Sequence, residues 1–131
     1  MFNKCNDFVT TMLPPGVKIG AQFALQGESE GLDTNPWPGW ANSFNDTVQA
    51  FASRYQIPVL IYGQIGPMPP IPAPNWVDIQ GQQTALQNDD MIMVRTSDLT
   101  MVGDGVHFDT YGIADLGSRF FTAYQGWLSG D

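Results

Sequence analysis

The sequence predicts an α/β fold built on a parallel sheet. Three observations carry that prediction: apolar runs of strand length, amphipathic stretches of helical period between them, and proline- or glycine-rich punctuation at the junctions. Residues 2–13 read as a short helix, with Cys5, Phe8, Val9 and Met12 at helical spacing and Pro14-Pro15-Gly16 ending it. From Val17 to Leu25 the apolar residues alternate (Val17, Ile19, Ala21, Phe23, Leu25), which argues for a strand. Gln26 to Gly31 reads as a polar turn, and Asn35-Pro36-Trp37-Pro38-Gly39 as a loop. A helix follows from Trp40 to Tyr55, with Phe44, Val48, Phe51 and Tyr55 on one face. Ile57 to Ile65 is the next strand. Its continuous run Val59-Leu60-Ile61 suits a strand covered on both sides.

Residues 66–74 hold too many prolines for helix or sheet, so they form a rigid loop or a polyproline-type recognition segment. Asn75 to Gln87 is a helix with Trp76, Ile79, Gln83 and Leu86 on one side. Met91 to Thr96 is a third strand, and Asp98 to His107 is a polar connection. The last helix runs from Thr110 to Trp127, with Asp109 as a natural N-cap and Ile113, Leu116, Phe120, Tyr124 and Trp127 as its apolar face. Alternation of this kind implies parallel strands joined by right-handed crossovers.

Composition bounds the function. A chain of 131 residues that is 43% hydrophobic fits one domain, 1–131, with a real core. Thirteen acidic residues against five Lys and Arg give a net charge of −8. That charge repels phosphate backbones and anionic membrane surfaces, so neither nucleic acid nor membrane is an expected partner. Neutral polar substrates, carbohydrate among them, fit the charge. The longest apolar stretches have strand length, so no transmembrane segment is expected. No continuous apolar stretch follows Lys4, so a signal peptide is not supported and the location stays undetermined. Cys5 is the single cysteine and reads as a small buried apolar residue. One His, one Cys and no calcium-loop pattern argue against a metal, and no phosphate-cradling loop implies a cofactor.

The chemistry converges on one edge. In an open parallel sheet, ligands bind outside the carboxyl ends of the strands. Gln26-Gly27-Glu28-Ser29, the proline-rich loop and Asp98 to His107 all fall there. His107 is the only histidine, and Asp104-Gly105-Val106-His107 places a carboxylate three residues before it. That spacing lets Asp104 accept a hydrogen bond from one imidazole nitrogen and leaves the other to take a proton from a nucleophile. Asp104 would equally serve as a turn former. Gln26 can donate to an oxyanion, Gly27 permits close approach, and Glu28 can buttress the loop. The same residues also suit a plain polar turn. Asp98 either joins this site or satisfies a turn.

Taken together, several blocks resemble one family: Gln26-Gly27-Glu28-Ser29-Glu30, Trp76 with Gln80, Ser97-Asp98-Leu99, Asp104-Gly105-Val106-His107-Phe108-Asp109, and Gly112 with Leu116-Gly117-Ser118-Arg119-Phe120. They are similar to the SGNH hydrolases of the sialate O-acetylesterase-like and acetylxylan-esterase-like branch, carbohydrate esterase family 6. The resemblance runs from about residue 8 to residue 125. It implies a flavodoxin-like three-layer α/β/α fold, a Ser-His-Asp triad and acetyl esters on carbohydrate as substrates. By resemblance, His107 is the general base, Asp104 its orienting acid, Gln26 an oxyanion donor and Glu28 its support.

The family's nucleophilic serine lies in a Gly-Gln-Ser-Asn-type block after the first strand, and this sequence holds no such block. Gly63-Gln64-Ile65-Gly66 has Ile65 at the serine position, and Ser29 is not the family nucleophile. The expected architecture is therefore a truncated SGNH fold whose parallel sheet lacks its first strands. Two functions follow. The chain is the C-terminal part of a serine esterase, with the nucleophile supplied by a complementing N-terminal chain. Alternatively it is a non-catalytic carbohydrate-binding or structural module, as on a virion or cell surface. A homo-oligomer that covers the exposed edge is a further expectation.

Overall fold

The computed structural model describes Thr11 and residues 13–130. The expected helix over residues 2–13, with Cys5, lies outside the described residues. The elements run β1 (Gln22–Leu25), α1 (Glu28–Leu32), α2 (Trp40–Tyr55), β2 (Leu60–Gly63), α3 (Trp76–Ala85), β3 (Met91–Val94) and α4 (Thr110–Ser129). The three strands form one parallel sheet in the order β1-β2-β3. Gln22 is in register with Leu60, and Leu60 with Met91.

The β2 run is the reason for three layers. Its four residues are all buried, so each face of this central strand needs a cover. Ile61 faces α4, in a cluster with Val59, Val94, Leu99, Phe108 and Leu116. Leu60 and Tyr62 face the opposite way and pack with Val48 of α2 and with Met91. A third cluster of Trp40, Ile65, Trp76, Ile79 and Val106 closes the core beyond the carboxyl ends of the strands. The observed architecture is thus helix layer, parallel sheet, helix layer: the parallel strands are those the alternation predicts, and the three layers those the family resemblance implies.

The strands are shorter than the apolar runs. The β1–β2 ladder stops below Val59, whose carbonyl accepts from Gln22 N at 2.9 Å. Just before it, Gln56 turns the chain in a left-handed conformation (φ 54°). Val17 to Ala21 are thereby left outside the ladder. Gln26 to Gly31 is not a turn alone, because α1 starts at Glu28. Gly27 adopts φ 129° to make the sharp entry. Asp109 caps α4 as expected, its carboxylate accepting from Gly112 N at 2.8 Å. Ile113, expected on the apolar face of α4, is exposed instead. That helix buries its Leu116 side and packs Phe120, Ala123, Tyr124 and Trp127 against the sheet cluster.

Candidate active site at the carboxyl edge of the sheet

The tight segment Asp104–His107 follows β3 and precedes α4. Gly105, at φ 69°, allows the reversal. Asp104 Oδ1 accepts from Val106 N at 2.8 Å and from His107 N at 3.0 Å. Those two bonds fix the carboxylate and leave Oδ2 aimed at the imidazole, 2.7 Å from His107 Nδ1. Val106 is buried in the cluster with Trp76 and Ile79, so the turn is pinned by its own apolar residue. The proline-rich loop packs against it from outside. A Cβ on Gly105 would collide with the Pro70 ring, and Pro69 is buried. The loop after β2 therefore props the dyad.

Charge follows the geometry. The hydrogen bond from His107, with those from two backbone amides, holds the Asp104 carboxyl down to about 2. The same bond and the carboxylate charge raise His107 above its ordinary 6.5, with Glu28 adding to the rise. Burial pushes the Glu28 carboxyl up, and the charge of His107 pulls it back. The imidazole is solvent-accessible, with its side chain 73% exposed. A proton titration of His107 by NMR is expected to give a midpoint above 6.5 that falls in Asp104→Asn, because the partner charge is gone. The stabilising pairing from the His107 side is complete below 6.5 and is lost as pH rises through the raised midpoint. From the Asp104 side it is complete above 3.8 and is lost as pH falls through about 2.

Gln26 is oriented by two neighbours of opposite character. Trp40 Nε1 donates to Gln26 Oε1 at 2.7 Å, and Gln26 Nε2 donates to Glu30 Oε2 at 2.7 Å. An indole N–H only donates and a carboxylate only accepts, so the amide has one orientation. Its Nε2 group carries two hydrogens, and Glu30 takes one. The backbone carbonyl of Gln26 accepts from Gln83 Nε2 at 2.9 Å, while Gln83 Oε1 accepts from Ile65 N at 3.0 Å. One fully buried glutamine thus joins the end of β1 to the end of β2. Gly27 lies directly beneath. A Cβ there would stand 2.8 Å from Ile79 and 3.2 Å from Ile65.

Three further residues build this edge. Asn75 Nδ2 donates to the carbonyls of Glu30, Asp33 and Asn35 at 3.3, 2.8 and 2.6 Å, tying α1 and its following loop to the start of α3. Trp76 Nε1 and Gln80 Nε2 both donate to Gly66 O, at 2.9 and 2.8 Å, and so hold the root of the proline loop. Asn75 had only the look of a helix start in the sequence, and Gln83 only that of one more residue on a helix side. Neither spacing shows where an amide will reach. Asp98 pairs instead with α4: Arg119 holds it by both oxygens, at 2.7 and 2.6 Å, which ties the β3–α4 connection to that helix. This pair keeps Asp98 down at about 2.

Asp104, His107, Gln26, Gly27 and Glu28 all belong to loops or helix starts at the same sheet edge. Among the described residues no group of three or more His, Cys, Asp or Glu side chains stands ready to hold a metal ion. No helix among them is long and apolar enough to cross a membrane. The arrangement can hold an imidazole in one tautomer and accept a proton at its free nitrogen.

Comparison with known proteins places the chain. No curated protein matches it significantly. A solved structure of a protein from Arabidopsis thaliana superposes with a TM-score of 0.79 at 20% sequence identity, covering 95% of this chain and 51% of that one. That likeness concerns the fold, and this chain spans about half the length of its neighbour. The sequence model of the family described as carbohydrate esterase, sialic acid-specific acetylesterase matches residues 1–126. The chain, with its parallel sheet and the loops gathered at one end of it, belongs to that carbohydrate esterase family.

Proposed function

We propose that this chain is the acid–base part of a serine esterase that removes acetyl groups from carbohydrate, with the nucleophilic serine supplied by a segment outside residues 1–131. The observation that carries the reading is the 2.7 Å pair between Asp104 and His107, fixed by two backbone amides at the sheet edge where Gln26 and Glu28 also lie. Family membership supports the substrate class.

In this reading Asp104 accepts Nδ1–H of His107 and keeps Nε2 free of its proton. Nε2 removes the proton from the serine hydroxyl as Oγ bonds to the acetyl carbonyl carbon. The carbonyl π electrons move onto oxygen, and the second Nε2 hydrogen of Gln26 donates to that oxyanion. Collapse breaks the bond to the sugar oxygen, which leaves with the proton held by His107. Water then attacks the acetyl-enzyme by the same route, releasing acetate and the serine. Glu28 adds negative charge that steadies the transient imidazolium. The base must be neutral to begin, so activity rises with pH through the raised midpoint of His107.

The test mixes the chain with the product of the reading frame directly upstream, then follows 4-nitrophenyl acetate and an O-acetylated sialic acid. Turnover that depends on both polypeptides is the expected result. Turnover no greater than that of the His107→Ala mixture would sink the proposal.

A further inference from the structure

We infer that Trp37 is the platform on which the sugar ring of the ester stacks, and that the ring it takes is neutral. The inference rests on the esterase reading and adds to it the surface that binds the sugar. Three tryptophans stand at this end of the sheet. Trp40 and Trp76 are buried in the core, whereas Trp37 is 41% exposed.

The exposed indole is held in place all the same. Its Nε1 donates to Asp33 Oδ2 at 3.0 Å, and Asp33 Oδ1 accepts from Asn35 N and Asn35 Nδ2 at 2.9 and 3.1 Å. Those hydrogen bonds, the one from Asn35 N foremost, hold the Asp33 carboxyl below its ordinary value, so it stays an acceptor. The Trp37 carbonyl accepts from Gln82 Nε2 of α3 at 2.8 Å and from Trp40 N at 3.1 Å. Pro36 and Pro38 flank it with fixed φ angles. A large side chain fixed at both its backbone and its ring, yet left facing solvent, is pre-organised for a contact that the fold itself does not make.

The chemistry of that contact follows from what remains free. The indole N–H is spent on Asp33, so the ring offers its face. An aromatic face carries the negative end of the ring quadrupole and attracts polarised C–H groups, such as those on one side of a sugar ring. Position ties the face to the site. Trp37 lines the same groove, of about 390 Å³, as Gln26 and Glu30. A sugar whose acetyl carbonyl reaches Gln26 therefore has the indole in the same recess. Glu30 gives one oxygen to Gln26, which leaves the other to accept from a sugar hydroxyl.

Charge selects the kind of sugar. Glu28, Glu30 and Asp33 all lie on this side of the edge, in α1 and its C-cap. Of the cations among the described residues, Lys18 and Arg54 precede β1 and β2, at the amino end of the sheet. Arg95 follows β3, two strands away, and Arg119 is engaged by Asp98. A sugar carboxylate beside Trp37 would meet like charges and no cation, a juxtaposition that is costly.

The test adds an O-acetylated methyl xyloside to the isotope-labelled chain alone and follows the indole N–H signals by NMR. The signal of Trp37 should move, while that of Trp127, near the last turn of α4, should stay. An O-acetylated methyl sialoside should bind about tenfold more weakly or worse. In the mixture with the upstream product, kcat/KM for the xyloside is divided by that for 4-nitrophenyl acetate, which has no sugar ring. Trp37→Ala should lower this ratio about tenfold, and Trp37→Phe should restore most of it. A Trp37 signal that does not move overturns the inference, as does a ratio untouched by Trp37→Ala. A sialoside bound as tightly as the xyloside also overturns it. Movement at Trp37 in a chain whose mixture hydrolyses no ester keeps the sugar platform and sinks the esterase reading. Turnover with an unmoved Trp37 does the reverse.

Discussion

Gly27→Ala is expected to destabilise the chain by about 3 kcal/mol or more. Two costs combine there. An L residue at φ 129° carries about 1–3 kcal/mol of backbone strain. The new Cβ would also meet Ile79 at 2.8 Å, Ile65 at 3.2 Å and Gln83 Nε2 at 3.3 Å, all parts of fully buried side chains. Overpacking of that kind costs about another 1–3 kcal/mol. Differential scanning calorimetry should show a fall in Tm of about 10 °C or more. Gly81→Ala is the control. Gly81 lies inside α3 with nothing within 4 Å of a Cβ, so alanine there should stabilise by about 0.5–1 kcal/mol. If both variants shift Tm alike, the close-approach account of the β1 loop is wrong.

The second large effect concerns the dyad. In the mixture that hydrolyses ester, His107→Ala should lower kcat by about 10³-fold or more with little change in KM, because the imidazole acts on the reacting atoms rather than on ground-state binding. Asp104→Asn should cost a similar factor, since an amide in place of the carboxylate no longer favours the tautomer with Nδ1 protonated. Its residual activity should also gain its rising limb at lower pH than the unmodified chain, because the influence that raises His107 has been removed. The double variant should cost little more than either single one, as expected of residues acting as a unit. Additive losses, or a limb that does not move, would detach Asp104 from His107.

The alternation of strands and helices was legible because apolar periodicity changes from two to 3.6 at residues that punctuate it. Trp40 to Tyr55, the buried run at Leu60 and the Asp109 cap all follow that logic. The dyad was legible for a local reason: three residues with a glycine between them can close a carboxylate onto an imidazole without help from the rest of the fold. The short helix α1 was not legible. It has only five residues and no side-chain cap, and it exists because Gly27 turns sharply and Gly31 fits against the face of Trp76. The alternation from Val17 to Leu25 predicts a strand but not its partners, and so it does not show that Phe23 and Leu25 stay exposed. Likewise the reach of Gln83 and Asn75 depends on which loop lies opposite, a property of the tertiary fold. The proline loop is placed by Gly66 and Gly105, where the absence of a Cβ lets Met101 and Pro70 approach.

The central claim is that His107 activates a serine carried by another polypeptide segment. Labelling with a fluorophosphonate, followed by intact mass of each component, tests it most directly. The account predicts one adduct on a serine of the complementing segment, none on the 131-residue chain, and loss of labelling with His107→Ala. An adduct on Ser29 or Ser97 of this chain, or labelling of the segment that persists without His107, would contradict it.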